Sequence, residues 1–406
     1  MTQNPPTTKW LEYRDRANQA GRDFLKAVDK ILPSLASRRM RSDKEGMVPR
    51  ESVQEMEDAG VFRAMTPLQF GGLEMNPAMF FEGIMRIASA DPSAAWIGGQ
   101  LTVHCFEIAL MSPKFQEEFW RDGPSTRASS AYAPVGKYEP TEGGYILNGK
   151  WVFSSGVDHA KWVVLGGGDK NFIVPIGDIE IIPDSWDVQG LRGTGSKSLN
   201  VKNVFVPNYR VHQLMDIYND NNPGWEINDR PFYRMSWIGL QNATMPNSAM
   251  GMTDGALNHF VEQTKVRLAK MGTGVPVSEN PHMHVKLAAA LTQIRGLKQR
   301  HLLNWQQLFD MACNEEKPSQ LEMLRVRYES VEAAGKCFES ITEMWPFAGA
   351  NAIESSNPLS HIFRDLIAMR NHGSAARESA AAMYMKVLFG LPTPPVSNLN
   401  TLAYYK

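Results

Sequence analysis

The sequence predicts an α+β protein in three parts: a helical N-terminal region, a β-rich middle, and a helical bundle at the C-terminal end. Three observations predict it. Apolar residues recur at helix spacing from about Trp10 to Arg121. Between about Ser125 and Gln213, short apolar runs are punctuated by Gly and Pro. From about Phe232 onward, long helical stripes return. The divisions fall at residues 10–124, 125–225 and 232–392.

In the first part, Phe24, Val28, Ile31 and Leu32 share one helical face. A short helix is expected over Glu51–Ala59, with Gly60 as its stop. Pro77–Ala90 is amphipathic through Phe80, Phe81, Ile84, Met85 and Ile87. Asp91-Pro92 interrupts it, because a residue before proline avoids the helical region. A more apolar helix follows over Ser93–Met111 and carries Trp96 and His104.

In the middle part, Tyr145–Leu147 and Trp151–Phe153 flank Asn148-Gly149, which reads as a hairpin turn because both residues tolerate positive φ. Strands are expected over Lys161–Leu165, Asn171–Ile176, Ile179–Ile182 and Leu199–Val206, making a small barrel or sandwich. In the last part the helices are Ala249–Lys270, His284–Asn314, Gln320–Pro346 and His361–Gly390, an antiparallel bundle. The tail after Pro392 is Pro-rich and reads as extended.

Composition narrows the function. The 406 residues are 43% hydrophobic and 21% charged, ordinary values for a globular protein. Lys+Arg (42) and Asp+Glu (43) balance, so no basic field is available to hold nucleic acid or an anionic membrane. Cys105, Cys313 and Cys337 are widely separated and odd in number, which argues against a disulfide framework or zinc ribbon and for reduced thiols in the cytoplasm. The first residues show no signal pattern, and no apolar run reaches transmembrane length.

HExxH, GxSxG and Walker signatures are missing. Gly190–Ser196 looks like a phosphate loop but lies between strands with no helix opening after it, so a turn-rich connection is the better reading. His282-Met283-His284 lacks a carboxylate to complete a metal set, and no metal is expected. Four places remain: His104 in its apolar helix, Ser129-Ser130, the run Ser154–His159, and His372 beside Gly373-Ser374. On sequence alone a satisfied structural histidine or a capping serine is the commoner explanation of each, and spacing does not show that they converge.

Resemblance to a family adds what spacing lacks. Arg127–Ala160, with its GGYILNG and SSGxDHA runs, closely resembles the oxygenase components of p-hydroxyphenylacetate hydroxylase and of the seco-steroid phenol 4-hydroxylases. Both are flavin monooxygenases on the acyl-CoA dehydrogenase fold. Gln69–Glu74, Gly190–Ser196, Asn203–Pro207 and Phe363-Arg364-Asp365 match as well, and the likeness runs over residues 20–392. It implies an N-terminal helical domain, a central β-barrel and a C-terminal four-helix bundle, usually in a homotetramer. It implies reduced FMN or FAD delivered by a separate flavin reductase, dioxygen as co-substrate, and ortho-hydroxylation of a phenol through a C4a-hydroperoxyflavin.

Site roles follow residue by residue. Ser155 matches the serine at the flavin N5, and His372 the histidine at the reacting flavin edge. His104 and Ser130 match residues that hold the phenolic hydroxyl. Trp96 and Trp151 match ring-packing positions that keep water out. Ser129 joins the cofactor-binding set, and Arg267 resembles the arginine that reaches a flavin phosphate, often of a neighbouring subunit. Asp158 and His159 match in a supporting role. His372 or His104 would take the phenol proton.

Val157 replaces the usual cysteine of the SSGxDHA run, and Asn219–Trp237, which borders the substrate pocket in relatives, matches poorly. Asn371–Ser374 lacks the glutamate that acyl-CoA dehydrogenases use as a base, which weakens the acyl-CoA dehydrogenase alternative. N- or S-oxygenation on the same scaffold is a further alternative. The 22 methionines favour a broad apolar substrate pocket.

Overall fold

The computed structural model describes residues 9–267 and 276–392. The N-terminal region is built from α1 (Leu11–Glu45), α2 (Arg50–Asp58), α3 (Pro77–Ala90), α4 (Pro92–Leu110) and α5 (Pro113–Phe119). Gly60 ends the second of these segments with φ +91, a conformation that costs a glycine nothing. Asp91 is extended (φ −140, ψ 104) and caps α4, its side chain accepting from the backbone N–H of Ser93 and Ala94, with Pro92 at the first helical position.

The middle region holds β1 (Ala128–Ala131), β2 (Lys137–Thr141), β3 (Gly144–Ser154), β4 (Trp162–Gly166), β5 (Lys170–Pro175), β6 (Glu180–Ile182), β7 (Lys197–Pro207) and β8 (Val211–Gln213). They form two four-stranded sheets, ordered β1-β4-β5-β8 and β2-β3-β7-β6. Leu147 and Trp151 of one sheet share a core with Val163, Leu165 and Phe172 of the other. The arrangement is two facing sheets, and no closed barrel forms among the described residues. The first sheet is covered on its other face too, where Ala128, Trp162, Val164 and Ile173 pack into the main helical core.

Asn148-Gly149 is not the hairpin turn. The chain passes through it within β3 as a bulge, with the register shifting between Leu147 and Gly149. The real turn lies earlier, where Thr141 pairs with Gly144. Glycine is needed at 149 because a Cβ there would lie 2.7 Å from the Trp151 ring.

After the sheets come α6 (Leu214–Tyr218), α7 (Trp237–Val266), α8 (Pro281–Cys313), α9 (Gln320–Met344), α10 (Pro358–Arg370) and α11 (Arg377–Leu388). α7 begins well before Ala249, passing through Gly239 and Pro246, because its buried face continues back to Trp237. The expected single helix His361–Gly390 is two helices, α10 and α11, separated by a tight turn at Gly373–Ala375. The three cysteines are buried and unpaired, and burial pushes each thiol up to about 12. No described helix is long and apolar enough to cross a membrane.

Candidate active site

α4 carries the site. Nearly every residue of this helix is buried, so it runs through the protein as a central rod. Trp96 lies in its first turns and His104 eight residues on, about 12 Å farther along the axis. Each is the centre of a polar cluster.

The first cluster gathers around Trp96. Ser155 follows directly on β3, where a second register shift between Trp151 and Ser154 and a left-handed Gly156 (φ +69) bring the chain over α4. A side chain at 156 would press on Ile97 and Leu101 of the helix. Trp96 donates from Nε1 to Ser155 Oγ at 3.1 Å, and Ser155 Oγ lies 2.8 Å from Ser196 Oγ. His372 stands edge-on to the same indole, ring centroids 5.5 Å apart.

His372 occupies the break between α10 and α11 rather than a helix. Its Nδ1 accepts the Ser374 backbone N–H at 3.2 Å and lies 2.6 Å from the Ser374 hydroxyl. An accepting Nδ1 places the proton of the neutral ring on Nε2, so the open edge of His372 is a donor. Surrounding protein pushes its pKa down to about 4. The residue is nevertheless exposed at the surface, and solvent relieves part of that push.

The second cluster surrounds His104. Ala128 O lies 2.7 Å from its Nδ1, which fixes the Nδ1–H tautomer. Nε2 is buried and has no hydrogen-bond partner among the described residues. Burial lowers the pKa of the ring, outweighing the opposing effects of the Ala128 bond and of Glu107. His104 therefore presents a bare lone pair. Successive strand residues face opposite ways, so Ser130 shares the Ala128 face turned to the helices. Ser129 faces the other way, fully buried, and receives a hydrogen bond from Ser154 at 3.1 Å.

Tyr132 stands beside His104 with ring centroids 5.8 Å apart. Its hydroxyl donates to the buried Glu107 carboxylate at 2.6 Å, which also accepts from Asn171 at 2.8 Å and contacts His212 at 3.2 Å. Burial alone would raise the Glu107 pKa, but His212, Tyr132 and Asn171 together bring it below the usual range. On its other side, Tyr132 meets Trp237 edge-on at 5.8 Å. Trp237 helps to line a cavity of about 890 Å³ with Trp225, Tyr233, Met235, Trp305 and Met323. The indole N–H groups of Trp237 and Trp305 lack partners among the described residues.

The structure thus brings Ser155, Trp96 and His372 together, and two turns along the same helix it sets His104 against β1, the strand that carries Ser130. Three expected site residues lie elsewhere. Trp151 is wholly buried between the sheets, its N–H shared by the Ala133 and Gly166 carbonyls at 3.1 Å each. Ser129 faces the sheet interior, as described. Arg267 lies just beyond the far end of the 30-residue α7, about 45 Å from the Trp237 end, and donates to the carbonyls of Phe347 and Ala348. The Met271–Gly274 run beside it falls outside the described residues. Asp158 accepts from Lys197 at 2.7 Å and ties the turn after Ser155 to β7. The His159 carbonyl accepts from Arg127 at 2.9 Å.

Sequence reasoning missed Phe153, Ser196, Glu107 and Trp237. Phe153 is 66% exposed and held outward with φ +66 beside Ser155. A second register shift in β3 turns it out, and no sequence signal marks that shift. Glu107 sits three residues after His104 in an otherwise apolar helix, which is the one cue that could have singled it out.

Known proteins resemble this chain along most of its length. Residues 243–377 match the family model of the acyl-CoA dehydrogenase C-terminal domain. The oxygenase subunit HsaA of a flavin-dependent monooxygenase from Rhodococcus jostii (strain RHA1) is 34% identical over 385 residues, covering 91% of this chain and 98% of the relative. The oxygenase component of p-hydroxyphenylacetate 3-hydroxylase from Acinetobacter baumannii is 27% identical, covering 93% and 91%. The crystal structure of 3-HSA hydroxylase from Rhodococcus sp. RHA1 superimposes with a TM-score of 0.88 at 34% identity, covering 92% of this chain and 99% of that one.

Proposed function

Because the chain belongs to the oxygenase components of flavin-dependent monooxygenases built on the acyl-CoA dehydrogenase fold, we propose that it uses reduced flavin and dioxygen to hydroxylate a phenol ortho to its hydroxyl. The reduced flavin comes from a separate reductase component, as the term oxygenase subunit implies for the relatives. Bound reduced flavin supplies the electrons and the activated oxygen; the protein supplies position, dryness and proton control.

The residues present fit a flavin ring. Ser155 is half-buried and reachable, Trp96 and His372 bound the space beside it, and Phe153 offers an exposed aromatic face next to it. In this reading Phe153 packs on the ring and Ser155 meets N5. Trp96 excludes water, and His372 presents its Nε2 proton to the reacting edge. Arg267 would serve the flavin phosphate of a neighbouring subunit in a homotetramer. The sheets and the C-terminal helices stand for the barrel and four-helix bundle of the family, divided at 10–124, 125–225 and 232–392.

The observation that carries the phenol is the bare Nε2 of His104. A phenol has a reference pKa of about 10, and its ring becomes far more nucleophilic as the proton leaves. A neutral imidazole acceptor draws that proton, and Ser130 hydrogen-bonds the oxygen. The cavity behind Trp237 has the volume for a bulky phenol, and Tyr132 and Trp237 stand between it and His104. The break after α10 offers His372 and Ser374 where an acyl-CoA dehydrogenase needs a carboxylate base, so the oxygenase reading is favoured over dehydrogenation.

Protein plus NADH, dioxygen and a panel of phenols should give no catechol. Adding a flavin reductase with FMN or FAD should give catechol from at least one bulky phenol. Catechol formed with NADH alone, or none formed from any phenol despite a steady supply of reduced flavin, would overturn this reading.

A further inference from the structure

The hydroxyl of Ser155 ends a chain of side chains whose direction can be read from its other end. Asp365, buried on α10, accepts the Leu191 backbone N–H at 2.5 Å and pins Leu191 in a left-handed conformation (φ +54). The Leu191 carbonyl can only accept, and Thr194 Oγ lies 2.7 Å from it. Thr194 has a single hydroxyl proton, which is therefore committed to Leu191. Ser196 Oγ lies 2.7 Å from Thr194 Oγ, so the proton between them belongs to Ser196. Ser155 Oγ lies 2.8 Å from Ser196 Oγ, so the proton between those two belongs to Ser155. The Leu191 carbonyl also accepts the Thr194 backbone N–H at 3.1 Å and the Trp186 indole N–H at 3.3 Å, so reversal would cost the chain through the 2.7 Å contact of two oxygens, Leu191 O and Thr194 Oγ, with no proton between them.

A serine hydroxyl has one proton and two acceptor sites. At Ser155 the proton goes to Ser196, and Trp96 fills one acceptor site from its indole N–H. One acceptor site remains, and no proton is left to give. We propose that Thr194 and Ser196 are positioning residues that turn Ser155 into an obligate acceptor, so that the site selects the redox state of its flavin. The inference rests on the reading that Ser155 meets N5. Reduced flavin carries a hydrogen on N5 and can donate it to Ser155. Oxidised flavin has a bare lone pair at N5, which would face another lone pair. The chain therefore retains reduced flavin and lets oxidised flavin go.

The test is the ratio of affinities for oxidised and photoreduced FAD and FMN, measured anaerobically by absorbance and fluorescence titration. Wild-type protein should bind the reduced forms more tightly. Ser196→Ala frees the Ser155 proton, and the ratio should fall about five- to tenfold, the range of one hydrogen bond. Ser196→Thr keeps the hydroxyl and should preserve the ratio. Thr194→Val, which removes the anchor but keeps the shape, should lower it as Ser196→Ala does, and it serves if the alanine variant does not fold. Ser155→Ala should lower the ratio too. If Ser155→Ala lowers it while folded Ser196→Ala and Thr194→Val leave it at the wild-type value, the orienting role is wrong and the placement of Ser155 survives. If Ser155→Ala leaves the ratio unchanged, Ser155 does not meet N5, and both ideas fall.

Discussion

His104 and Ala128 are joined by a 2.7 Å hydrogen bond between the ring Nδ1 and a main-chain carbonyl, and that bond decides what the imidazole can do on its other side. Because the carbonyl takes the Nδ1 proton, Nε2 must accept. His372 is the reverse case, since its Nδ1 accepts from the Ser374 backbone and its Nε2 must donate. In the proposed reaction the two histidines would divide the work: His104 would accept from the phenol, and His372 would donate a hydrogen bond.

His104→Asn tests the first half. Asparagine can still donate to Ala128 but has no acceptor at the Nε2 position. Phenol hydroxylation should slow by about 10²- to 10⁴-fold, the usual yield of a positioned general base. Reduced-flavin affinity should stay within about twofold. Because burial lowers the His104 pKa, the wild-type acceptor stays neutral as pH falls through the ordinary histidine range. Any acid limb due to His104 should thus lie below about pH 6.5. Unchanged turnover in His104→Asn would remove His104 from the reaction.

Trp96 links the two sides of the first cluster, bonded to Ser155 and edge-on to His372. Trp96→Phe keeps one aromatic ring but removes the N–H together with the rest of the pyrrole ring. It should raise the hydrogen peroxide released per product, in the same direction as Ser155→Ala but by less. For Ser155→Ala the rise should reach about tenfold, the scale of one hydrogen bond. Parallel peroxide and product assays decide it, and equal coupling in wild type and Ser155→Ala would count against both roles.

Part of this was legible in the sequence. The helix Pro77–Ala90 has the expected ends: Asp91-Pro92 closes it as the sequence indicates, and the structure adds Asn76 as its cap. The expected strands appear within a residue or two of their places, because Gly and Pro mark the ends of their apolar runs. The failures share a cause: local signals were overruled by packing. Asn148-Gly149 has turn chemistry, but the Trp151 ring needs the space over residue 149 inside a continuous strand. Gly239 and Pro246 look like breakers, yet α7 runs through both because its face is buried there. The break that sets His372 free of a helix has no proline, and its glycine resembles those the long helices tolerate. Of the candidate site, the resemblance singled out Ser155, His104, Ser130, Trp96 and His372, and the proposed roles rest on them. It could not show that Trp151 and Ser129 turn inward, because the face of a strand residue depends on a register that bulges reset.

The bulge at Gly149 gives a stability prediction. An alanine methyl would meet the indole of Trp151 at 2.7 Å, and that ring is held on both sides by its own hydrogen bonds and the sheet core. Gly149→Ala should cost about 1–3 kcal/mol, read as a lower denaturation midpoint at unchanged slope. Gly177→Ala meets nothing within 4 Å and is the control. Equal midpoints for the two variants would show that the ring yields freely.

Acid should weaken the fold through His301. This side chain is buried on α8 against Phe81, and burial pushes its pKa down to about 3, with Arg300 adding to the effect. In the unfolded chain it titrates near 6.5. Between those values the unfolded state binds a proton that the folded state refuses, so stability falls as pH drops below about 6.5 and keeps falling toward 3. At pH 5.5 the loss from this one group is about 1.4 kcal/mol. Asp365 acts in the opposite sense, since burial pushes its pKa up to about 6 and its protonation favours the folded state as pH falls toward 3.8. A wild-type melting curve therefore mixes the two, and the comparison that isolates His301 is its difference from His301→Gln. The variant should lose less stability between pH 7 and 5.5 than wild type does, by about 1.2 kcal/mol, since about 0.2 kcal/mol of the loss is already present at pH 7. Parallel pH profiles for the two proteins would mean that His301 takes up its proton in the folded state as readily as in the unfolded one.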